Sequence, residues 1–151
     1  MVSAKNDCCA KGDAMTNILF FLTPKAMCVY LYDDYTLRQA LEKMEVAGYA
    51  ALPILTRTGE YRGTLTEGDV LWGMKNLCGL NLKQAEKVRI MDIHRRRDNL
   101  PVPVNTPMSD LVERAQTQNF VPVVDDKDTF IGIVTRSSII KYCQWQLYTE
   151  D

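Results

Sequence analysis

The chain is poor in the residues from which most catalytic and metal centres are built: it has one histidine, two tryptophans and five cysteines, with no CxxC spacing among the cysteines. With His94 as the lone imidazole, a metal centre of nitrogen and sulfur donors would lack ligands. An odd cysteine count with Cys8 and Cys9 adjacent argues against a disulfide framework. Cys28, Cys78 and Cys143 read instead as small apolar residues in a reducing compartment. No apolar run approaches the ~18 residues that span a bilayer. Ile18-Leu19-Phe20-Phe21-Leu22 is too short even for a signal-peptide core, so a cytoplasmic protein without a membrane partner is expected. The net charge of −1 offers no field for gripping nucleic acid by its phosphates. No Walker-type loop, cluster of metal ligands or nucleophile–base pair is visible, so neither an enzyme nor a required cofactor is expected.

What the chain does have is length, apolar content and repetition. At 151 residues with 46% apolar and 25% charged composition, it can bury the core of one soluble domain without disulfides. Pro53, Gly63, Thr66 and Asp69 recur 69 residues later as Pro122, Gly132, Thr135 and Ser138. A fixed period of this kind marks a repeated structural unit.

Periodicity and turn signals predict strand, helix, strand, strand, helix in each half. In the first, a strand at Cys28-Val29-Tyr30-Leu31 precedes a helix capped by Thr36. That helix carries Leu37, Ala40, Leu41 and Met44 on one face and ends at Gly48. Strands follow at Ala51–Leu55 and Tyr61–Leu65, with a turn at Arg57-Thr58-Gly59-Glu60, and Thr66 then caps a helix through Val70, Leu71 and Met74. The second half predicts a strand at Pro101–Val104, a helix at Met108–Gln116, strands at Phe120–Val124 and Phe130–Val134, and a helix at Ser137–Trp145. The fold class is therefore α/β (α+β), two pseudo-symmetric β-α-β-β-α motifs packed as one unit. The expected divisions are a flexible tail over 1–15, a first motif over 16–77, a connecting helix and linker over 78–97, a second motif over 98–147 and a tail over 148–151. Each half alone is too small to cover its own sheet face well, and packing the two together solves that.

Two stretches carry a resemblance. Ala50-Ala51-Leu52-Pro53-Ile54-Leu55 followed by Gly63-Thr64-Leu65-Thr66-Glu67-Gly68-Asp69-Val70-Leu71 is one. Phe120-Val121-Pro122-Val123-Val124-Asp125 followed by Gly132-Ile133-Val134-Thr135-Arg136-Ser137-Ser138-Ile139-Ile140 is the other. Together they resemble a tandem pair of cystathionine-β-synthase (CBS) domains, the Bateman module of adenine-nucleotide sensors, in its stand-alone bacterial and archaeal form. The resemblance implies a non-enzymatic regulatory, energy-sensing module with two clefts for an adenosine-containing ligand such as AMP, ADP, ATP, S-adenosylmethionine or cyclic di-AMP. It also implies a homodimer and a regulated protein partner. The same fold serves elsewhere as a dimerisation or protein-interaction module with no small ligand, which stands as the alternative.

In that family each cleft is built crosswise from the two halves. Carried over by position, the first cleft combines Thr64, Thr66, Gly68 and Asp69 with Arg96, Asn99, Pro101, Gln118 and Phe120. The second combines Ile133, Thr135, Ser137 and Ser138 with Thr23, Lys25, Met27, Tyr49 and Ala51. Thr66 and Thr135 stand where helices begin, beside unpaired N–H groups that suit a phosphate. Asp69 can accept from both ribose hydroxyls, whereas Ser138 replaces that carboxylate with a neutral hydroxyl. The run His94-Arg95-Arg96-Arg97 would face Asp69, so the first cleft is preferred. Thr66 and Asp69 also make an ordinary helix cap, contributing about 1 kcal/mol, and the arginine run also reads as a solvated loop. Gly63 and Gly132 mark a close approach of either a strand or a ligand. Trp72, Trp145 and Tyr148 read as helix packing or dimer contacts.

Overall fold

The structure is a computed structural model that describes residues 16 to 149; the expected N-terminal tail and residues 150 and 151 lie outside the described residues. In chain order the elements are α1 (Ile18–Phe21), β1 (Thr23–Pro24), a 3-10 turn (Lys25–Met27), β2 (Leu31–Tyr32), α2 (Leu37–Ala47), β3 (Ala51–Leu55), β4 (Tyr61–Thr66) and α3 (Glu67–Cys78). They continue with α4 (Leu82–Ala85), a 3-10 turn (Ile90–Asp92), β5 (Val102–Pro103), α5 (Met108–Arg114), β6 (Phe120–Val124), β7 (Phe130–Thr135) and α6 (Arg136–Thr149).

The local signals act where the sequence places them. Thr36 closes a capping box with Gln39 at the start of α2, and Gly48 ends that helix in the left-handed conformation at φ 70°, which a residue without Cβ adopts at no steric cost. The strand expected at Cys28–Leu31 shortens to Leu31–Tyr32, because the Lys25–Met27 turn draws the Cys28 N–H onto the Lys25 carbonyl. The strand expected at Pro101–Val104 likewise shortens to Val102–Pro103, and the last helix runs on from Ser137–Trp145 to Arg136–Thr149.

The repeat appears in the sheets. In one, β2 runs parallel to β3 and β3 antiparallel to β4; in the other, β5 runs parallel to β6 and β6 antiparallel to β7. Both antiparallel ladders shift register at the equivalent place, Ile54/Leu55 and Val123/Val124. The second sheet gains a fourth strand, since β1 pairs with β7 through Thr23 opposite Ile133 and Pro24 opposite Gly132.

Two hydrophobic cores form, and each borrows from across the chain. Ala85, Ile90 and Ile93 of the connector join Leu31, Leu37, Leu52, Ile54 and Leu65 in the first. Ile18, with Phe21 and Leu22 against it, joins Val102, Leu111, Val121 and Val134 in the second. Residues expected at the start of the first motif thus pack on the second half, and the connector packs on the first. Isolated bridges Asn17 to Pro107 and Thr36 to Arg89 pin these exchanges symmetrically. The expectation that neither half covers its own sheet is corrected in part: each core is distinct, and what joins them is a separate seam. There Glu60 bridges Thr129, the Phe130 N–H donates to the Gly59 carbonyl at 2.9 Å, and the Tyr61 and Phe130 rings stack at 6.4 Å.

Candidate functional site

The two carried-over residue sets end in different states. The second comes together as an open cleft of about 230 Å³, lined by Thr23, Met27, Tyr49, Ala51, Ile133 and Thr135 from the expected set. Three features position them. Gly132 lets the backbone of Thr23 and Pro24 lie against β7, because a Cβ there would overlap the Thr23 carbonyl. This decides its reading in favour of a strand approach. The αL cap at Gly48 turns the chain so that Tyr49 and then Ala51, the first residue of β3, line the cleft. Thr135 ends β7 where α6 begins, its hydroxyl accepting from the Ser138 N–H at 3.2 Å and donating to the Ser138 Oγ at 3.0 Å.

Cys28, Val29, Leu52, Pro53 and Asn119 also line this cleft, and sequence reasoning missed them as site residues. Phe120, assigned to the first cleft, lines the second; it pairs with Thr135 across the ladder and so reaches the same wall. Lys25 lies outside the lining and borders an adjoining surface hollow with Tyr30 and Lys43. Ser137 is exposed at the start of α6, and Ser138 sits behind Thr135. The walls are apolar and aromatic with a few polar groups, the usual make-up of a small-molecule site, and the volume falls below the ~300 Å³ of drug-sized pockets. It suits a flat base, with the rest of a ligand reaching out toward α6. Burial pushes the Cys28 thiol above its usual range, offset in part by a backbone hydrogen bond from Ile133.

The first set divides: Asp69 and Arg96 line a hollow of about 500 Å³ together with Trp72, Asp92 and His94, while most of the others are held by hydrogen bonds. Asp69 is 3% exposed, and its oxygens accept from the Thr66 N–H at 3.1 Å and the Arg96 N–H at 3.2 Å. The Asp69 N–H in turn donates to the Thr66 hydroxyl, completing a capping box. Thr64 and Asn99 are buried, and the Gln118 amide is held by the Leu100 N–H and by the Leu100 and Phe120 carbonyls. Gly68 and Pro101 are exposed, as is the Arg96 side chain.

The arginine run also divides. Arg95 pairs with Asp98, while Arg97 is exposed. The Asp69 carboxylate, expected to accept from a ribose, is thus already engaged by two backbone N–H groups. Asp69→Ala is expected to cost about 1–3 kcal/mol of stability, from the lost cap and the unsatisfied N–H groups. It should leave nucleotide affinity within twofold, as measured by denaturant unfolding and by calorimetric titration.

Among the described residues no helix is long and apolar enough to cross a membrane, and no group of three or more His, Cys, Asp or Glu converges to hold a metal.

Comparison with known proteins adds the following. The CBS domain family model matches residues 14–76 and 90–144. The chain is 28% identical over 114 residues to a CBS domain-containing protein of Dictyostelium discoideum, a match that covers 71% of this chain and 78% of the other. The solved structure of CbpB in complex with c-di-AMP superposes with a TM-score of 0.76 at 18% identity, covering 93% of this chain and 92% of that one. The structure of CBSX2 in complex with AMP gives a TM-score of 0.69 at 20% identity, covering 88% and 98%.

Proposed function

This chain belongs to the CBS domain family, and from that premise we propose that it is a non-enzymatic regulatory module that binds an adenosine-containing ligand, of the AMP, ADP, ATP or cyclic di-AMP class, in its second cleft. The observation that carries the reading is the crosswise cleft itself, to which Thr23, Met27, Tyr49 and Ala51 of one half and Phe120, Ile133 and Thr135 of the other all contribute. Adenine lies between the apolar walls, and backbone groups of β1 and β3 serve its edge. Ribose and phosphate extend to the first turn of α6, whose positive dipole end favours an anion. Structures of the same fold bind c-di-AMP and AMP, which fits this ligand class. CBS domains are in general regulatory modules rather than enzymes. A site contributed by both halves changes their relation when it fills, and so passes a signal to a partner.

A thermal-shift screen of AMP, ADP, ATP, S-adenosylmethionine and cyclic di-AMP on protein unfolded and refolded to strip retained ligand tests the reading. At ~100 times Kd, binding adds about 2.7 kcal/mol and raises Tm by about 5–10 °C. No shift with any of the five would leave the alternative, a ligand-free dimerisation or protein-interaction module. One observation favours that alternative: Leu71, Trp72 and Leu77 on α3 and Ile140, Leu147 and Tyr148 on α6 are large apolar residues left exposed. They also suit a homodimer of the ligand-binding form.

A further inference from the structure

Two lysines differ from the rest. Lys25 and Lys43 are half-buried, whereas Lys75, Lys83, Lys87, Lys127 and Lys141 are exposed. Among the described residues neither of the two ammonium groups forms an ion pair or a side-chain hydrogen bond. Glu42, beside Lys43 in sequence, pairs with Arg38, and Asp34 is gripped by Arg57 through two hydrogen bonds. What holds the two ammoniums is a tyrosine. Lys25 Nζ lies 5.6 Å and Lys43 Nζ 5.3 Å from the centroid of the Tyr30 ring, which is itself set edge-on against Tyr32 at 5.6 Å. A ring attracts a cation through its quadrupole and leaves the N–H donors unused. Two partly desolvated cations without a counter-ion are costly, and an anion between them recovers that cost.

The space for one is present. Lys25, Ala26, Cys28, Val29, Tyr30 and Lys43 line an open hollow of about 620 Å³, roomier than a phosphate group alone and walled largely by apolar side chains. Two ammoniums match the charge of a phosphate monoester, close to −2 at neutral pH, and lysine binds phosphate as a point charge.

Cys28 and Val29 also line the second cleft, but the cationic end of the hollow lies elsewhere. A Cβ at Gly59 would fall 3.4 Å from Lys25 Nζ and 3.5 Å from Thr129 Cγ2, so this ammonium stands where β7 begins. Helix α6, with its positive dipole end, follows Thr135 where β7 finishes. The two lysines also belong to different halves of the structure. Lys25 is in the turn after β1, which pairs with β7, and Lys43 is on α2, which packs in the first core. An anion held by both ties the halves together.

We propose that this hollow binds a phosphorylated small molecule, separately from the second cleft, with the phosphate between Lys25 and Lys43 and the organic body against Ala26, Val29 and the Tyr30 ring. The site does not rest on the nucleotide reading of the second cleft.

Calorimetric titration of the full chain with ribose 5-phosphate and with phenyl phosphate, at ionic strength held constant with potassium chloride, tests it. Lys25→Gln and Lys43→Gln are each expected to weaken binding by about tenfold, the loss of one charge-assisted contact. Lys43→Arg should restore it, and Lys83→Gln, on the exposed surface, should leave it unchanged. Absence of saturable binding of both compounds up to about 10 mM would overturn the proposal. So would equal weakening by Lys83→Gln, which would mark diffuse attraction to surface charge.

Two further arms separate the hollow from the cleft. Binding of the phosphate esters should persist in Ala51→Trp, which places an indole on the wall of the second cleft; its loss there would put the esters in that cleft and overturn the proposal. Lys25→Gln and Lys43→Gln should keep the parent's response to ATP. Loss of that response would assign the lysines to the nucleotide and overturn the separate site. If the parent shows no response to ATP, the nucleotide reading fails, and the ester titrations still decide the hollow.

Discussion

Phe130→Ala is expected to lower stability by about 3–5 kcal/mol, the cost of deleting a large side chain from a site that cannot collapse. Phe130 is 1% exposed and belongs to neither hydrophobic core. It lies in the seam between the halves, stacked on Tyr61, with its N–H on the Gly59 carbonyl. The backbone bond survives the substitution, but the ring that fills the seam does not. The fall in Tm should be about 10 °C for a chain of this size. Unfolding should also lose cooperativity, because each half keeps its own core once the seam is empty. Urea denaturation followed by tryptophan fluorescence and by circular dichroism checks both points. Trp72 lies in α3 of the first half and Trp145 in α6 of the second. Coincident transitions with a loss below about 1 kcal/mol would show that the seam does not couple the halves.

Ala51→Trp is expected to abolish nucleotide binding by the second cleft, with a loss of at least 100-fold in affinity and disappearance of the ligand-dependent Tm shift. The cleft measures about 230 Å³ and Ala51 lies on its wall, so an indole there occupies the space of the adenine. Stability should change by no more than about 1 kcal/mol, because Ala51 opens β3, is only half-buried and faces empty space, while tryptophan is favourable in strands. Paired with Asp69→Ala, which should destabilise without weakening binding, the substitution separates the two clefts. If Asp69→Ala abolished binding and Ala51→Trp did not, the ligand would belong to the first cleft.

The features legible in the sequence were those governed by local chemistry. The Thr36 and Thr66 caps, the Gly48 helix end and the runs Ala51–Leu55 and Phe120–Val124 each depend on neighbours a few residues away. Each appears in the structure as expected. The short strands at the sheet edges were misjudged because their length is set by pairing and by the Lys25–Met27 turn rather than by their own residues. Helix α1 was missed as well: four residues nucleate poorly alone, and this turn exists because the Asn17 side chain accepts from the Leu19 N–H and Ile18 is buried in the second core.

The candidate site divides along the same line. Thr23, Met27, Tyr49, Ala51, Ile133 and Thr135 were carried over by position from the family resemblance, and the structure brings them together along one cleft. Asp69 was read in isolation as a ribose acceptor, but its hydrogen bond to the Arg96 N–H spans 27 residues of chain. Tyr61 and Asp98 drew no attention because nothing beside them in sequence gives them a role.

The amino-acid sequence by itself determined that this chain is a doubled β-α-β-β-α protein, because caps, turns and hydrophobic alternation are short-range and repeat with the chain. Only the tertiary structure decided how the expected site residues are engaged. The hydrogen bonds from Thr64 to Asp98 and Asn99 and from Tyr61 to Asn99 join residues 34 to 38 apart. No local pattern encodes a separation of that size; it is fixed when the segment that leads into β5 folds back across β4.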